Sequence, residues 1–322
     1  ALPFDREDLE RYLSALLDKS AQVHAIRELR GEGDSDTLKG FGYGVPLLVE
    51  CCCGGEEERF VLHTVSRSGF GHERASDRAA NLLLDHATFN RLPDHVPSLD
   101  VGAFDPRDGL VSLGRTGEFF HLTRYAEGTA YAADLHRIAS SGELASLDLD
   151  RALALADYLA EIHAVKESDD LLYQRRIRDL VGHGEGIAGL LDSYPADFDL
   201  APPQRLQALE KRCVAWRWRV KHASHRLSQV HGDFHPWNVL FREGTSFSLL
   251  DRSRGAWGEP ADDVSSMTLN YVFFSLRCSN ALDGPFRQLY DAFWDRYLDA
   301  TEDHELLTVI QPFFAWRAVV VA

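Results

Sequence analysis

"QVHGDFHPWNVLF", residues 229–241, packs two histidines, a Gly-Asp pair, a proline, a tryptophan and an asparagine into one loop that runs into an apolar Val-Leu-Phe. A simple connector needs only turn residues, so this density of hydrogen-bonding side chains points to a loop that carries chemistry. The continuation, "VLFREGTSFSLLD" at 239–251, reads as strand, turn and strand, with the turn at 242–245 and Asp251 at its end. A hairpin returns the chain beside its start, which places Asp251 close to the loop holding Asp233 and Asn238.

His231, Asp233 and Asn238 fall in the pattern H-x-D-x-x-x-x-N, the spacing of a kinase catalytic loop. Phosphoryl transfer asks little covalent participation of a protein. It needs an oxygen nucleophile aligned on the γ-phosphorus and cations to neutralise the phosphate oxygens. On this reading Asp233 accepts the proton of the substrate hydroxyl. Asn238 and Asp251 supply hard oxygen ligands to magnesium, whose remaining positions go to ATP phosphates and water. The structural alternative has Asp233 capping a turn and Asn238 bonding loop backbone. The hairpin ending in an aspartate is the context that favours chemistry.

The 322 residues, 45% apolar and 26% charged, suffice for one large domain or two lobes. The net charge of −16 argues against a nucleic-acid partner and suits a cationic small substrate, although an acidic face that only keeps a protein soluble is the commoner cause of such a charge. No apolar run is long enough to span a bilayer, and residues 1–20 read as an acidic amphipathic helix rather than a signal peptide. Five cysteines, three of them at 51–53, match neither zinc spacing nor a disulfide framework. They read as small core residues on a strand in a reducing, cytoplasmic setting.

Residues 22–66 read as three strands, "QVHAIREL", "VPLLVECCC" and "RFVLHTVS". The glycine-rich "RGEGDSDTLKGFGYG" lies between the first two, and the hairpin signal "GGEEE" between the second and third. A helix is expected over 72–91, stopped by Pro93, then short strands around "PSLDVGAF" and "GEFFHLTRYAEG". Beyond about 130 the periodicity is helical: 149–166, a helix around "DLVGHGEGIAGLLDSY", and 202–227 opened by Pro202 and Pro203. In "CVAWRWRVKH", Trp216 and Val220 lie one turn apart, so a packed helix with a basic outer side is expected. His163 reads as a core or supporting histidine, and the acidic 283–305 as a solvated helix or a receptor for an amine-rich substrate.

"VHGDFHPWNVLF", "LLDRSRG" and "GEPADDVSSM" resemble the aminoglycoside phosphotransferase and choline kinase group of protein-kinase-like small-molecule kinases. The resemblance is specific over 229–267 and looser through "YAEG" at 125–128 and "LAEIHAVK" at 159–166. It implies an α+β, two-lobed fold: a small strand-rich nucleotide-binding lobe over 1–128 and a larger helical lobe over 129–322 that carries catalysis and acceptor binding. It also implies ATP, not separated here from GTP, and Mg2+ as cofactors. Asp233 is then the catalytic base, His231 orders the loop, and Asn238 and Asp251 bind the metal. Arg124, Tyr125, Ala126 and Glu127 form the hinge that meets adenine. The implied acceptor is an aminoglycoside or related amino-sugar, with choline-like, sugar and amino-alcohol acceptors still open. Neither a membrane nor a nucleic acid is an expected partner, and nothing in the sequence sets an oligomeric state.

The pattern departs from such kinases on the third strand, where His63 stands in place of the usual lysine. Glu73 and Asp77 are candidates to raise its pKa, and also simply favourable acids in a first helical turn. Lys39 and Arg67 are alternative phosphate-facing cations. At least one of Asp262 and Asp263 is expected to cap the helix after "GEP", with substrate contact as the alternative. The departure at His63 motivates a competing reading, a kinase-like nucleotide-binding protein whose phosphoryl transfer is lost or redirected.

Overall fold

Burial alternates along residues 47–53, so that Leu47, Val49, Cys51 and Cys53 are buried while the residues between them are not. That strand is the middle of a three-stranded antiparallel sheet in the computed structural model, which describes residues 4–28, 44, 46–195, 197–199, 201–252 and 254–321. The chain divides into two compact units, Ala1–Leu122 and Thr123–Ala322.

The first unit opens with α1, Arg6–Leu17, capped by Asp5 in a reciprocal pair with Asp8. The strands β1, Ala21–Glu28, β2, Leu47–Cys53, and β3, Glu56–Leu62, form the sheet in the order β1-β2-β3, with the β2–β3 turn at Gly54 and Gly55. Leu9 and Leu13 of α1 join Val23, Val49, Cys51 and Cys53 in one apolar core. The cysteines thus fill space, as expected for small apolar residues on a strand. Helix α2, Ala75–Phe89, and the hairpin of β4, Gly102–Asp105, with β5, Gly109–Ser112, complete this unit.

The strand expected around "GEFFHLTRYAEG" does not form: residues 115–127 are neither strand nor helix, and only β6, Thr129–Ala130, follows. A strand requires a paired neighbour, and this stretch, despite its aromatic content, lacks one over its length. The strand expected around "PSLDVGAF" is confined to β4. Lys39, Gly40 and Gly42 lie outside the described residues.

The second unit is mostly helical. Helices α3, Tyr131–Ser141, α4, Ser146–Ala164, α5, Asp170–Gly182, α6, Ile187–Asp192, and α7, Pro203–Val220, precede a set of short strands. These are β7, Ser228–Gln229, β8, Val239–Phe241, β9, Phe247–Leu249, and β10, Trp257–Gly258; α8, Pro260–Ser279, α9, Gly284–Thr301, α10, Leu306–Val309, and α11, Gln311–Val321, follow. The expected helix around "DLVGHGEGIAGLLDSY" is two helices, α5 and α6, separated where glycines lower helix stability. Pro203 opens α7, and Trp216 and Val220 pack into the unit's core while Trp218 stays exposed.

That core draws Tyr131, Leu135, Leu155, Leu159, Phe234, Val239, Phe241, Tyr271, Phe293 and Phe313 from separate elements. It includes Phe234 of the quoted loop and both ends of β8, so the loop stands on close-packed side chains. The start of α8 is fixed by buried Glu259, which accepts from Arg226 Nε at 2.9 Å and from Tyr173 Oη at 2.9 Å.

Candidate active site

The quoted loop hangs between two antiparallel pairs. Strand β7 pairs with β10, Gln229 opposite Trp257, and β8 pairs with β9, Val239 opposite Leu249. The β8–β9 pairing continues as Leu250 N–H donates to Asn238 O at 2.9 Å. Asp251 is therefore the residue after the partner of Asn238, as the hairpin reading requires. It is exposed and sits at φ 51°, a left-handed conformation that an aspartate tolerates better than most residues.

Proline at 236 opens a single 3-10 turn, Pro236–Asn238. The turn aims the Asn238 amide back along the loop, where Nδ2 donates to Asp233 O at 3.0 Å. With its nitrogen committed, the side chain offers its oxygen. An amide oxygen and a carboxylate, the groups Asn238 and Asp251 carry, are hard-oxygen ligand types that magnesium accepts. Among the described residues no group of three His, Cys, Asp or Glu side chains could hold a metal. A magnesium–nucleotide complex does not need one, because phosphates and waters fill most of its shell.

His231 Nε2 donates to Leu250 O at 3.0 Å, and its Nδ1 accepts from Asp233 N–H at 3.3 Å, which is the pattern of a neutral imidazole. Burial lowers its pKa, outweighing the raising effect of Asp263 and the Leu250 carbonyl. The ring thus ties the loop to the end of the hairpin. Gly232 sits at φ 89° with an added Cβ only 3.3 Å from Arg254 Cβ, so glycine is the residue this turn requires.

Asp233 is partly buried and heavily engaged. Arg317 Nη1 donates to Oδ1 at 2.8 Å, Arg254 Nη1 stands 3.6 Å from the same oxygen, and His235 Nε2 lies 3.6 Å from Oδ2, a charge contact longer than a hydrogen bond. Burial pushes the carboxyl pKa up, but His235, Arg317 and Arg254 together pull it well below the usual carboxylate range. Asp233 is a carboxylate at any physiological pH.

Asp262 and Asp263 do not cap α8. Glu259 does so, accepting from Ala261 N–H at 3.3 Å, because the N-cap position falls before Pro260. Both aspartates are instead buried beneath the loop. Asp263 accepts from the N–H groups of His231 and Gly232, and its Oδ2 lies 3.3 Å from His163 Nε2, whose Nδ1 meets Tyr297 Oη at 2.7 Å. Asp262 bridges Arg176 and Arg317, and both guanidinium groups also reach Gly232 O at 3.2 Å. His163 is the buried supporting histidine the sequence suggested, whereas sequence reasoning missed the arginine supports. Their separations of 86 residues for Arg176 to Asp262 and 84 for Arg317 to Asp233 leave no local signal.

In the first unit His63 is exposed at the first position past β3, and among the described residues no hydrogen bond or ion pair engages it. Glu73 is buried, with its carbonyl accepting from Arg67 Nε at 3.2 Å, and Asp77 accepts from Arg74 N–H at 2.8 Å. Arg124, Tyr125 and Ala126 lie in irregular chain at the start of the second unit, with Tyr125 90% exposed.

The chain matches the phosphotransferase enzyme family over residues 62–307, more than half of its length, and belongs to that family. The sequence resemblance and the phosphotransferase class drawn from it agree with this membership, and so does the α+β architecture. Similar solved structures include an aminoglycoside-3'-phosphotransferase of type VIII, 18% identical, covering 97% of this chain and 98% of the other at a TM-score of 0.39. An ethanolamine kinase of Plasmodium vivax is 13% identical and covers 92% and 74% at a TM-score of 0.39. A glucosamine kinase in complex with glucosamine, ADP and inorganic phosphate is 20% identical and covers 59% of this chain at a TM-score of 0.35. The match spans about half of that kinase, 53% of its chain. No curated protein matches the sequence. Among the described residues no helix is long and apolar enough to cross a membrane.

Proposed function

We propose that the protein transfers the γ-phosphoryl group of ATP to a hydroxyl of a small molecule, with an aminoglycoside or related amino-sugar as the first acceptor class. One observation supports the reading: the Asn238 amide donates to the backbone carbonyl of Asp233, and the Leu250–Asn238 backbone pairing brings the chain at Asp251 beside the same loop. Membership of the phosphotransferase enzyme family supports it. The strongly acidic chain suits a cationic acceptor in the cytoplasm and disfavours nucleic acid.

In this scheme Asn238 and Asp251 would hold magnesium, which would supply positive charge to the nucleotide phosphates. Asp233 orients the acceptor hydroxyl and receives its proton as the new O–P bond forms. A carboxylate of low pKa is a weak base, and a loose transition state requires alignment of the hydroxyl more than its prior deprotonation. His231 keeps the loop closed on the hairpin. Residues 1–128 serve as the nucleotide-binding lobe and 129–322 as the catalytic and acceptor-binding lobe, with His63 and Glu73 near the phosphates and Arg124, Tyr125 and Ala126 near adenine.

The test is ATP consumption, with mass spectrometry of products, over glucosamine, ethanolamine, gentamicin and other hydroxylated amines. A product bearing one added phosphoryl group is expected with at least one of them. Nucleotide binding with no turnover on the whole panel would instead favour the binding-only reading that His63 motivates.

A further inference from the structure

We infer that Arg317, on α11, is a positioning residue for Asp233: it occupies carboxylate oxygen Oδ1 and so directs the acceptor hydroxyl to Oδ2. The inference rests on the reading of Asp233 as the proton acceptor. It adds a residue from a helix beyond the segment that matches the family, which ends at 307.

The geometry is that of a fork held on both sides. Arg317 Nη1 donates to Asp233 Oδ1 at 2.8 Å. On the opposite side Nη2 and Nε donate to Asp262 Oδ1 at 2.8 and 3.1 Å, and Nη2 also reaches Gly232 O at 3.2 Å. Asp262 is held in turn by Arg176 through its other oxygen. A guanidinium is planar and offers its donors at fixed angles, so its bonds to Asp262 and Gly232 set its plane and aim Nη1 at Asp233 Oδ1. The side chain is only 6% exposed, and its helix is anchored by buried Phe313 and Trp316.

Arg254 stands farther from the same oxygen, at 3.6 Å against 2.8 Å for Arg317. Among the described residues, Oδ2 is approached by His235 Nε2 at 3.6 Å, longer than a hydrogen bond. During transfer the hydroxyl proton passes to Oδ2, the hydroxyl oxygen bonds the γ-phosphorus, and the bond from phosphorus to the bridging oxygen breaks with its electron pair leaving on ADP. Arg317 remains bonded to Oδ1 throughout and takes no proton.

The experiment compares unaltered protein, Asp233→Asn, Arg317→Met and Arg317→Lys, using MgATP with whichever of glucosamine, ethanolamine or gentamicin is consumed fastest. Unfolding curves establish that each variant is folded. Arg317→Met is expected to lower kcat roughly 10- to 100-fold, the scale of a misplaced catalytic group, with KM for ATP and acceptor within about threefold. Arg317→Lys is expected to recover stability but not kcat, since an ammonium lacks donors at fixed angles. If Arg317→Met does not fold, the lysine variant decides alone. Unaltered kcat in either folded variant, or a loss confined to KM, overturns the role of Arg317 while an inactive Asp233→Asn leaves the reading of the site intact. An active Asp233→Asn, or no turnover by the unaltered protein, overturns that reading and this inference with it.

Discussion

Asp263, in the first turn of α8, accepts the backbone N–H groups of His231 at 2.7 Å and of Gly232 at 2.8 Å, 32 and 31 residues earlier in the chain. A buried carboxylate thus satisfies two donors that the turn at Gly232 leaves without a strand partner. The loop is shaped from below by α8 and sideways by the hairpin. Replacing Asp263 by asparagine removes one acceptor and the charge. We expect a loss of about 1–3 kcal/mol, the cost of a buried donor left unpaired, together with lower turnover. Denaturant unfolding measures the first; an unchanged midpoint would mean that the clamp contributes nothing.

The same carboxylate predicts an acid limit to stability. Asp263 and Asp303 both have pKa values below the ordinary 3.8. For Asp263 burial raises it and His163 more than offsets this; for Asp303 burial is outweighed by Arg226. Because the folded-state values lie lower than the unfolded ones, the stability they contribute is complete above about pH 4 and is lost as pH falls through the folded-state values. Urea midpoints should change little on account of these groups between pH 7 and 5, then fall steeply below 4. A steepest fall between pH 7 and 5 would contradict this.

Gly232→Ala tests the turn itself. A Cβ at φ 89° costs about 1–2 kcal/mol in backbone strain and meets Arg254 Cβ at 3.3 Å. It also shifts the carbonyl that Arg176 and Arg317 share. Lower stability and lower turnover should appear together; a variant equal to the unaltered protein in both would show that the left-handed turn is dispensable.

Asn238→Ala and Asp251→Ala each remove one of the two proposed protein oxygens on magnesium. Each should raise the Mg2+ concentration that gives half-maximal ATP consumption by about tenfold or more, the scale seen when metal sites lose supporting groups. An unshifted Mg2+ dependence in both variants would remove these residues from the metal.

Much of this was legible in the sequence because it is local. The apolar stretch "VPLLVECCC" between turn signals announced β2, and the thirteen residues from Gln229 to Phe241 held the loop's own chemistry within reach of one another. The hairpin carried Asp251 to Asn238 by strand pairing alone. What could not be read is non-local. Asp262 and Asp263 looked like helix caps because acids favour a first turn; only the packing of α8 under the loop turns them into acceptors for Arg317 and for His231 N–H. Phe119, Phe120 and Leu122 mimicked a strand by composition, and without a pairing neighbour they remain exposed irregular chain.

The central claim, that Asp233 receives the proton of an acceptor hydroxyl, is tested most directly by Asp233→Asn assayed for both MgATP binding by calorimetry and transfer to acceptor. Retained binding with turnover reduced by at least about a hundredfold, the scale for loss of a general base, is the predicted result. Turnover at the level of the unaltered protein would contradict the account.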